Sequence, residues 1–265
     1  MRLKDKVIIV TGSTMGIGKA IAKRVVAEGA KVIVHGLEED LAIQVVAELG
    51  AENARLHIED LSNEGAVQRL VDLAISSWGR LDAIVNNAAV VAASTIDTTD
   101  KAFLNRMLDV NTIAPLFLIK AALPPLIESH GAVLNIGSIN AWSGEHNLLA
   151  YSISKGALMT MTRNLGDSLF REHGVRVNQI NPGWVLTEKE IERKREHGLA
   201  DNWYKDLSKL FAPAGRIIWP EEIAAACIYW LSDESGPISG QVVDLEQFPM
   251  IGRNIPKDAS TIPHK

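Results

Sequence analysis

The sequence predicts an α/β fold in which one doubly wound parallel sheet carries helices on both faces. Short β-rich runs alternate with longer amphipathic runs along the chain. Several β-rich runs, such as Val-Ile-Ile-Val at 7–10 and Val-Ile-Val at 32–34, are apolar without alternation. Strands that are apolar on both faces are typical of a parallel sheet covered by helices on each side. With 265 residues, we expect a single domain over 1–246 and a short tail over 247–265.

Periodicity assigns the elements in order. The predicted strands cover 7–11, 31–36, 55–60, 83–87, 132–138, 176–181 and 241–245. The predicted helices cover about 16–28, 38–49, 63–78, 100–128, 151–173 and 220–232. The long segment that interrupts this alternation of strands and helices is 187–215, which is rich first in charged residues and then in Leu, Phe and Pro. Because an insertion after the carboxyl end of a strand lies over the ligand crevice of such a sheet, we expect a small lid there.

Composition and charge exclude several classes of protein. The formal net charge of −5 leaves no basic excess for nucleic acid or an anionic membrane, so neither is an expected partner. The apolar stretch at 116–127 is interrupted by Lys120 and two prolines, which argues against a membrane span. The single cysteine, Cys227, rules out an internal disulfide framework and favours a reducing, cytoplasmic location. The seven histidines show no metal-ligand spacing, so no metal is expected.

A glycine motif follows the first predicted strand. It reads Thr-Gly-Ser-Thr-Met-Gly-Ile-Gly over 11–18, and a predicted helix begins within it. Backbone N–H groups and the positive end of that helix can then face a pyrophosphate. The spacing differs from the better-known Gly-x-Gly-x-x-Gly, and a glycine turn without a ligand is the alternative. Strand, motif and helix in this order predict a Rossmann-type dinucleotide site.

Tyr151 and Lys155 lie four residues apart in a predicted helix, so the phenol and the ammonium share one face. A nearby cation favours the ionised phenol, so we expect the pKa of Tyr151 to be lowered from its usual value of about 10. Ser138 ends the fifth predicted strand and would hydrogen-bond a substrate oxygen on which negative charge develops. Each residue alone is more often structural. Together with the glycine motif they predict hydride transfer between a nicotinamide and an alcohol or carbonyl.

With these motifs the chain resembles the short-chain dehydrogenase/reductase family, from about residue 3 to about 246. The other matching pieces, in the family's order and spacing, are Asp60-Leu61, Asn86-Asn87-Ala88, Asn111, and Pro182-Gly183 through Thr187. One departure is Ala89, where the family usually has glycine.

The resemblance implies a role for each matching residue. Asp60 would contact the adenine, and Asn87 and Ala88 would form the floor of the cofactor site. Thr187 would hydrogen-bond the nicotinamide carboxamide. Lys155 would hold the nicotinamide ribose, and Asn111 would hold a water that links Lys155 to solvent.

Three groups of site residues follow. The predicted catalytic residues are Asn111, Ser138, Tyr151 and Lys155. The predicted cofactor-binding residues are Tyr151, Lys155, Gly12, Ser13, Thr14, Met15, Gly16, Ile17, Gly18, Gly36, Leu37, Asp60, Leu61, Asn87, Ala88, Ala89, Pro182, Gly183, Val185 and Thr187. The predicted substrate-facing residues are Asn140, Glu145, His146 and Trp184. For Glu145 and His146, a solvent-exposed loop pair is an equal alternative.

The predicted function is an NAD(P)-dependent oxidoreductase acting on a secondary alcohol or ketone. Polar side chains with one flat apolar wall suit a small polar substrate such as a sugar or polyol. The alternatives are a 3-oxoacyl thioester reductase of the same family and a non-catalytic dinucleotide-sensing protein. A sensor needs neither Tyr151 nor Lys155, so the intact pair favours an enzyme.

The end of the second predicted strand favours NAD over NADP. In the family an Asp in place of Gly36 marks NAD, and an Arg in place of Leu37 marks NADP; this chain has neither. No Lys or Arg occurs over 33–40, and Met15 stands where NADP users often carry a basic residue. A 2′-phosphate needs a guanidinium or ammonium within reach. We therefore expect NAD, without excluding NADP.

The helices over 100–128 and 151–173 carry apolar residues on more than one face. Such helices need a second partner besides the core. With the family resemblance, this predicts a homotetramer. The tail over 248–255 is expected either to cross to a neighbouring copy or to cover the site.

Overall fold

The structure is a computed structural model, and it describes residues 1–250. The strands are β1 (Val7–Val10), β2 (Lys31–Gly36), β3 (Ala54–Ile58), β4 (Ala83–Asn86), β5 (Ala132–Ile136), β6 (Arg176–Pro182) and β7 (Val242–Leu245). They form one seven-stranded sheet in the order β3-β2-β1-β4-β5-β6-β7, and every neighbouring pair is parallel. The strand order reverses between β1 and β4, which opens a crevice at their carboxyl ends. The predicted doubly wound parallel sheet is confirmed.

The helices match the predicted positions with two additions. They are α1 (Gly16–Ala27), α2 (Glu39–Leu49), α3 (Ala66–Trp78), α4 (Lys101–Leu108), α5 (Ala114–Glu128), α6 (Asn140–Ser143), α7 (Leu149–His173), α8 (Glu188–Glu196) and α9 (Pro220–Leu231). The additions are the one-turn helix α6 and the helix α8, which lies in the predicted lid.

The single helix predicted over 100–128 is divided into α4 and α5 by a π-helical turn, Asp109–Ile113. Pro115 lies in the first turn of α5. It has no N–H to donate to the carbonyl four residues earlier, so the helix is widened at that place. Asn111 lies inside this turn.

Both faces of the sheet are buried, as the non-alternating strands predicted. Ile8 and Val10 belong to one core cluster with residues of α1, α2 and α9. Val7 and Ile9 belong to a second cluster with residues of α3, α5 and α7. Cys227 on α9 is fully buried in the first cluster, as expected for core filling.

By length and composition alone, the segment Lys101–Glu128 could cross a membrane. In the structure it packs on the sheet, with Leu118, Ile119, Ala122 and Leu126 buried. The α5 part of the segment is therefore a core helix of the domain.

The segment 187–215, predicted to be a lid, contains α8 and a 3₁₀ turn, Trp203–Lys205. Thr187 caps α8, because its hydroxyl accepts a 3.2 Å hydrogen bond from the Glu190 N–H. The end of the lid is held by Gln247, whose amide donates to the Arg216 carbonyl and accepts from the Ala214 N–H. The predicted role of the tail over 248–255 falls mainly outside the described residues.

Candidate active site

Tyr151, Lys155 and Ser138 lie together at the carboxyl edge of the sheet. Tyr151 and Lys155 are both buried on one face of α7, and Ser138 is buried just after β5. Lys155 Nζ donates a 2.8 Å hydrogen bond to the Ile136 carbonyl at the end of β5. The helical spacing of the pair and its nearness to Ser138 are as predicted.

The expected lowering of the Tyr151 pKa is not found. Burial raises the pKa of Tyr151 to about 12, against smaller lowering effects from the Ser138 hydroxyl and the Arg193 guanidinium. Burial also lowers the pKa of Lys155 to about 8. The ammonium is directed to Ile136 and lies 5.8 Å from the centre of the tyrosine ring. Desolvation is the largest cause of both shifts, and it moves each pKa against the charged form of its group.

Ser138 is fixed by hydrogen bonds on two sides. Its N–H donates to Asn181 Oδ1 at 3.2 Å, and its hydroxyl accepts from the Asn140 N–H at 3.1 Å. Asn140, a predicted substrate-facing residue, therefore lies beside the predicted catalytic serine.

Asn181 belongs to a network of polar side chains that crosses four strands and is buried except at the half-buried Asp244. The network runs from Asn86 to Asn135, Thr162, Gln179, Asn181 and Asp244, with each contact between 2.7 and 3.0 Å, and Trp142 also donates to Asp244. Buried polar groups that are all paired in this way rigidify a core. Sequence reasoning did not find this network; its signal is the polar residues inside otherwise apolar strands.

Asn111 is buried in the π-helical turn, and its side chain is fully engaged. Its amide nitrogen donates to the Val90 carbonyl and to the Ser154 hydroxyl at 2.9 and 3.0 Å. Its Oδ1 accepts from the Val90 N–H at 2.8 Å. Ser154 directly precedes Lys155, so Asn111 braces the helix that carries the tyrosine–lysine pair.

The glycine loop is held against the end of β4 by Asn87 and Ala88, the two residues that the resemblance assigns to the floor of the cofactor site. The Thr11 hydroxyl accepts from the N–H groups of Asn87 and Ala88 at 2.9 and 3.0 Å. The Asn87 amide donates to the carbonyls of Thr11 and Gly12, both at 2.9 Å. A Cβ at Gly18 would lie 2.0 Å from the Gly12 carbonyl oxygen, so only glycine fits there.

His35 supports the same loop from β2, and sequence reasoning missed it. Its Nδ1 accepts from the Gly12 N–H at 3.2 Å, and its Nε2 lies 2.9 Å from the Glu59 carbonyl. These partners require the neutral tautomer with its proton on Nε2. Burial is the main cause that lowers the pKa of His35 to about 4. The Ser13 hydroxyl adds a third contact by accepting from the His35 N–H at 3.0 Å.

The N-terminus of α1 binds an acidic group in the structure. Glu188 Oε2 accepts a 3.0 Å hydrogen bond from the Gly16 N–H, the first residue of α1. The Thr187 methyl group lies against Gly16. A carboxylate on this N–H shows that the site accepts an anion, so the residues present fit the pyrophosphate of a dinucleotide.

Asp60 has an ion-pair partner that the sequence did not indicate. Its carboxylate binds Arg106 at 2.5 Å and accepts from the Ser62 hydroxyl at 2.7 Å. The Arg106 hydrogen bond is the main cause that lowers the pKa of Asp60 to about 2. An adenine contact by Asp60 would have to share the carboxylate with Arg106.

Five other predicted cofactor residues contribute mainly backbone or surface. Leu61 and Val185 are buried in the core, and the half-buried Ile17 packs against it. Gly36 ends β2 as a buried residue, and Leu37 beyond it is 57% exposed.

The remaining predicted residues line the loops of the crevice. Met15 precedes α1 in an extended conformation, and Ala89 is exposed after β4. Pro182 ends β6, and the Gly183 N–H donates to the Leu245 carbonyl at 2.9 Å.

Trp184 joins an aromatic and charged cluster in the lid. Its ring stacks on Trp203 at 5.2 Å between ring centres, and its Nε1 donates to Glu190 at 2.8 Å. Lys194 lies over both rings. Arg193 pairs with Glu190 and is the lid residue whose charge reaches Tyr151.

Glu145 and His146 are exposed in the loop before α7. Asn140 lies 3.5 Å from Glu145 through its amide nitrogen. The substrate contacts predicted for Glu145 and His146 therefore stay predictions.

The fold and site together define a nicotinamide-dependent oxidoreductase that acts on a CH–OH group or its carbonyl counterpart. The family model described as enoyl-(acyl carrier protein) reductase matches residues 12–246. The chain belongs to the short-chain dehydrogenase/reductase family.

Named relatives align along nearly the whole chain. The chain is 31% identical to an NADP-dependent (R)-specific alcohol dehydrogenase of Lentilactobacillus kefiri, over 88% of this chain and 92% of that protein. It is 32% identical to 2-(S)-hydroxypropyl-CoM dehydrogenase 3 of Xanthobacter autotrophicus, over 90% and 94%. It is 33% identical to glucose 1-dehydrogenase 2 of Bacillus subtilis, over 90% and 92%.

Proposed function

We propose that the protein moves a hydride between a nicotinamide cofactor and a secondary alcohol or ketone, with Tyr151 exchanging the proton. The observation that carries this is the placement of Tyr151 and Lys155 on one buried face of α7, beside Ser138 and at the edge that holds the glycine loop. The bound nicotinamide supplies or accepts the hydride.

The side chains of this chain then handle the substrate oxygen and its proton. Ser138 donates to that oxygen as negative charge develops on it. With a pKa of about 12, Tyr151 is protonated near neutral pH and gives its proton to the carbonyl oxygen during reduction. In alcohol oxidation the tyrosinate takes the proton back. Lys155 holds the ribose, as the resemblance implies, and Asn111 braces α7.

The lid and the loop after Ser138 supply the substrate contacts in this proposal. Asn140 and Trp184 offer hydrogen bonding and a flat aromatic wall, and Glu145 and His146 are polar residues of the same loop region. These side chains support a small polar substrate such as a sugar or polyol. The relatives' names include a glucose dehydrogenase and a butanediol dehydrogenase, which agrees with this size and polarity.

NAD is the proposed cofactor. The exposed Leu37, directly after β2, is followed by three acids, and no basic residue lies over 33–40. One relative is named NADP-dependent, so both cofactors belong in the test.

We propose further that the protein is a cytoplasmic homotetramer that binds neither nucleic acid nor membrane. Four apolar residues on or beside α5 and α7 are each at least 40% exposed: Ile113, Leu116, Phe117 and Ile153. A second copy covering these helices removes that apolar surface from water. The net charge of −5 supports the absence of nucleic acid.

The test is a substrate panel followed by the absorbance of the reduced nicotinamide. The panel contains secondary alcohols, ketones, sugars, polyols and acyl thioesters, each with NAD(H) and NADP(H). We expect turnover with small polar alcohols or their carbonyl forms. Turnover with acyl thioesters alone supports the thioester reductase instead, and binding without turnover on any substrate supports a dinucleotide sensor.

A further inference from the structure

Five side chains of the lid form one cluster, in which two cations share a single carboxylate. Lys194 Nζ lies 5.2 Å from the centre of the Trp184 ring and 5.8 Å from that of Trp203. Arg193 binds Glu190 Oε2 through its Nε at 2.9 Å and its Nη2 at 2.6 Å. Lys194 lies 3.9 Å from the other oxygen of that carboxylate. Two positive charges and one negative charge leave this lid cluster with a net charge of +1.

The other cations of α8 are paired outside the lid cluster. Lys189 Nζ lies 3.6 Å from Glu38 Oε1, and Arg195 Nε lies 2.7 Å from Asp201 Oδ1. Each of these cations has a carboxylate of its own. The excess positive charge therefore belongs to the lid cluster and not to the helix as a whole.

The lid cluster lies within electrostatic reach of Tyr151. Burial is the main cause that raises the pKa of Tyr151, and the Ser138 hydroxyl and the Arg193 guanidinium lower it by smaller amounts. Because the attraction between charges weakens with distance, the guanidinium must lie close enough to the phenol to act on it. The side chains of Arg193 and Lys194 are 39% and 25% exposed, so both can meet a ligand.

The indole N–H of Trp203 is a buried donor without an acceptor. Among the described residues, its Nε1 is the buried side-chain polar atom that has no hydrogen-bond partner. In the same aromatic stack, Trp184 Nε1 donates to Glu190 at 2.8 Å. A buried donor that stays unpaired costs free energy, so an oxygen atom that reaches it is bound favourably. The lid cluster thus combines an unused donor with an excess of positive charge.

We propose that the lid cluster binds a carboxylate of the substrate, so that the substrate is a small hydroxy acid, such as a sugar acid, or the corresponding keto acid. A guanidinium, an ammonium and an indole N–H are all donors that a carboxylate accepts. The single negative charge of a carboxylate matches the net charge of +1, whereas a phosphate brings about two negative charges.

This inference rests on the proposed function, because it assumes that Tyr151 acts on the hydroxyl of the same molecule. Oxidation moves a hydride from the carbinol carbon to the nicotinamide and the hydroxyl proton to ionised Tyr151. A keto acid and the reduced nicotinamide form, and the carboxylate is unchanged.

The experiment compares hydroxy acids with their neutral amides. Lactate, 3-hydroxybutyrate and gluconate are each paired with the primary amide, and kcat/KM is measured from the absorbance of the reduced nicotinamide. We expect the wild type to prefer the best acid to its amide by about tenfold or more, the effect of one charge-assisted hydrogen bond. Because acid and amide are measured on one preparation, their ratio does not depend on the fraction of the protein that is folded.

Arg193→Gln and Glu190→Gln change the charge of the lid cluster in opposite directions. Arg193→Gln brings the net charge to zero and should lower the acid-to-amide ratio about tenfold, chiefly through KM for the acid. Glu190→Gln removes the negative charge and should raise the ratio about two- to tenfold. The matched control is Arg195→Gln, which removes a guanidinium paired with Asp201 and should change the ratio by less than about twofold.

Trp203→Phe tests the indole N–H, because the stacked ring is retained and the donor is lost. This variant should lower kcat/KM for the acid about three- to tenfold. A cluster that only stabilises the lid would change turnover of acid and amide alike. The inference is therefore overturned if the ratio is the same in Arg193→Gln, Glu190→Gln and the wild type. It is also overturned if the wild type turns over neutral sugars or polyols but none of the acids, whereas turnover of no compound at all contradicts the proposed function itself.

Discussion

The ammonium of Lys155 donates a 2.8 Å hydrogen bond to the carbonyl of Ile136, two residues before Ser138. This contact ties α7 to the end of β5. It fixes Lys155, and the tyrosine one turn earlier, relative to Ser138. Tyr151 and Lys155 are therefore held on a packed helix, and Ser138 lies two residues beyond a buried strand, which favours accurate positioning.

The buried imidazole of His35 predicts a loss of stability in mild acid. The unfolded chain binds a proton near pH 6.5, whereas the folded pKa is about 4, so stability is present above pH 6.5 and is lost as pH falls toward 4. The full loss in the free energy of unfolding is on the order of 3 kcal/mol. Urea unfolding between pH 6.5 and 4 should show a free energy of unfolding that falls with pH in the wild type and falls less in His35→Gln. His57→Gln, which changes the neighbouring ring, is the control, and an unchanged slope in His35→Gln would show that another group is responsible.

Glu188 predicts competition between the lid and the cofactor. Its carboxylate accepts from the Gly16 N–H, where a pyrophosphate would bind. Removing the charge in Glu188→Gln should tighten NADH binding about two- to fivefold, the range expected for a charge at a helix end. Titration calorimetry measures this, with Glu192→Gln on the exposed side of α8 as the control. Weaker binding in Glu188→Gln would mean that this carboxylate helps to hold the cofactor.

The buried polar chain predicts a stability cost at Thr162. Its hydroxyl contacts Asn135 and Gln179 at 2.8 and 2.7 Å. Thr162→Val leaves both partners without this contact and should lower the free energy of unfolding by about 1–3 kcal/mol or more. The exposed Thr160→Val on the same helix is the control in urea unfolding. Equal free energies of unfolding for the two variants would show that the hydrogen bonds of Thr162 do not stabilise the fold.

The exposed apolar surface of α5 predicts the assembly. Phe117 is 48% exposed, and a charge there should split the tetramer because it would be buried at the contact. Light scattering should give four copies for the wild type and fewer for Phe117→Glu. The control is Ile96→Glu, at an apolar residue that is 81% exposed away from α5, and it should also give four copies. A wild-type monomer at micromolar concentration would refute the tetramer.

The strands and helices could be predicted from the sequence wherever a single local pattern determines the secondary structure. Val-Ile-Ile-Val, which is apolar without alternation, is typical of a strand covered on both faces, and a glycine motif between it and a predicted helix indicates the glycine loop. The division of the helix over 100–128 was visible in principle at Pro115, but a proline near a helix start is also compatible with an unbroken helix.

The site was predictable in its residue types but not in its electrostatics. The spacing places Tyr151 and Lys155 on one face, yet the direction of a pKa shift depends on burial and on where the ammonium points. The support from His35 and Asn181 depends on contacts between distant parts of the chain. Those contacts have no signature within a short window of sequence.

Tyr151→Phe tests the central claim most directly, because the ring is retained and only the hydroxyl that carries the exchangeable proton is lost. NADH binding and turnover of the best substrate are measured on the same preparation, with Tyr229→Phe on α9 as the control. We expect Tyr151→Phe to bind NADH as the wild type does and to lose turnover by about 10²–10⁴-fold. Turnover within twofold of the wild type would contradict the assignment of Tyr151 as the residue that exchanges the proton.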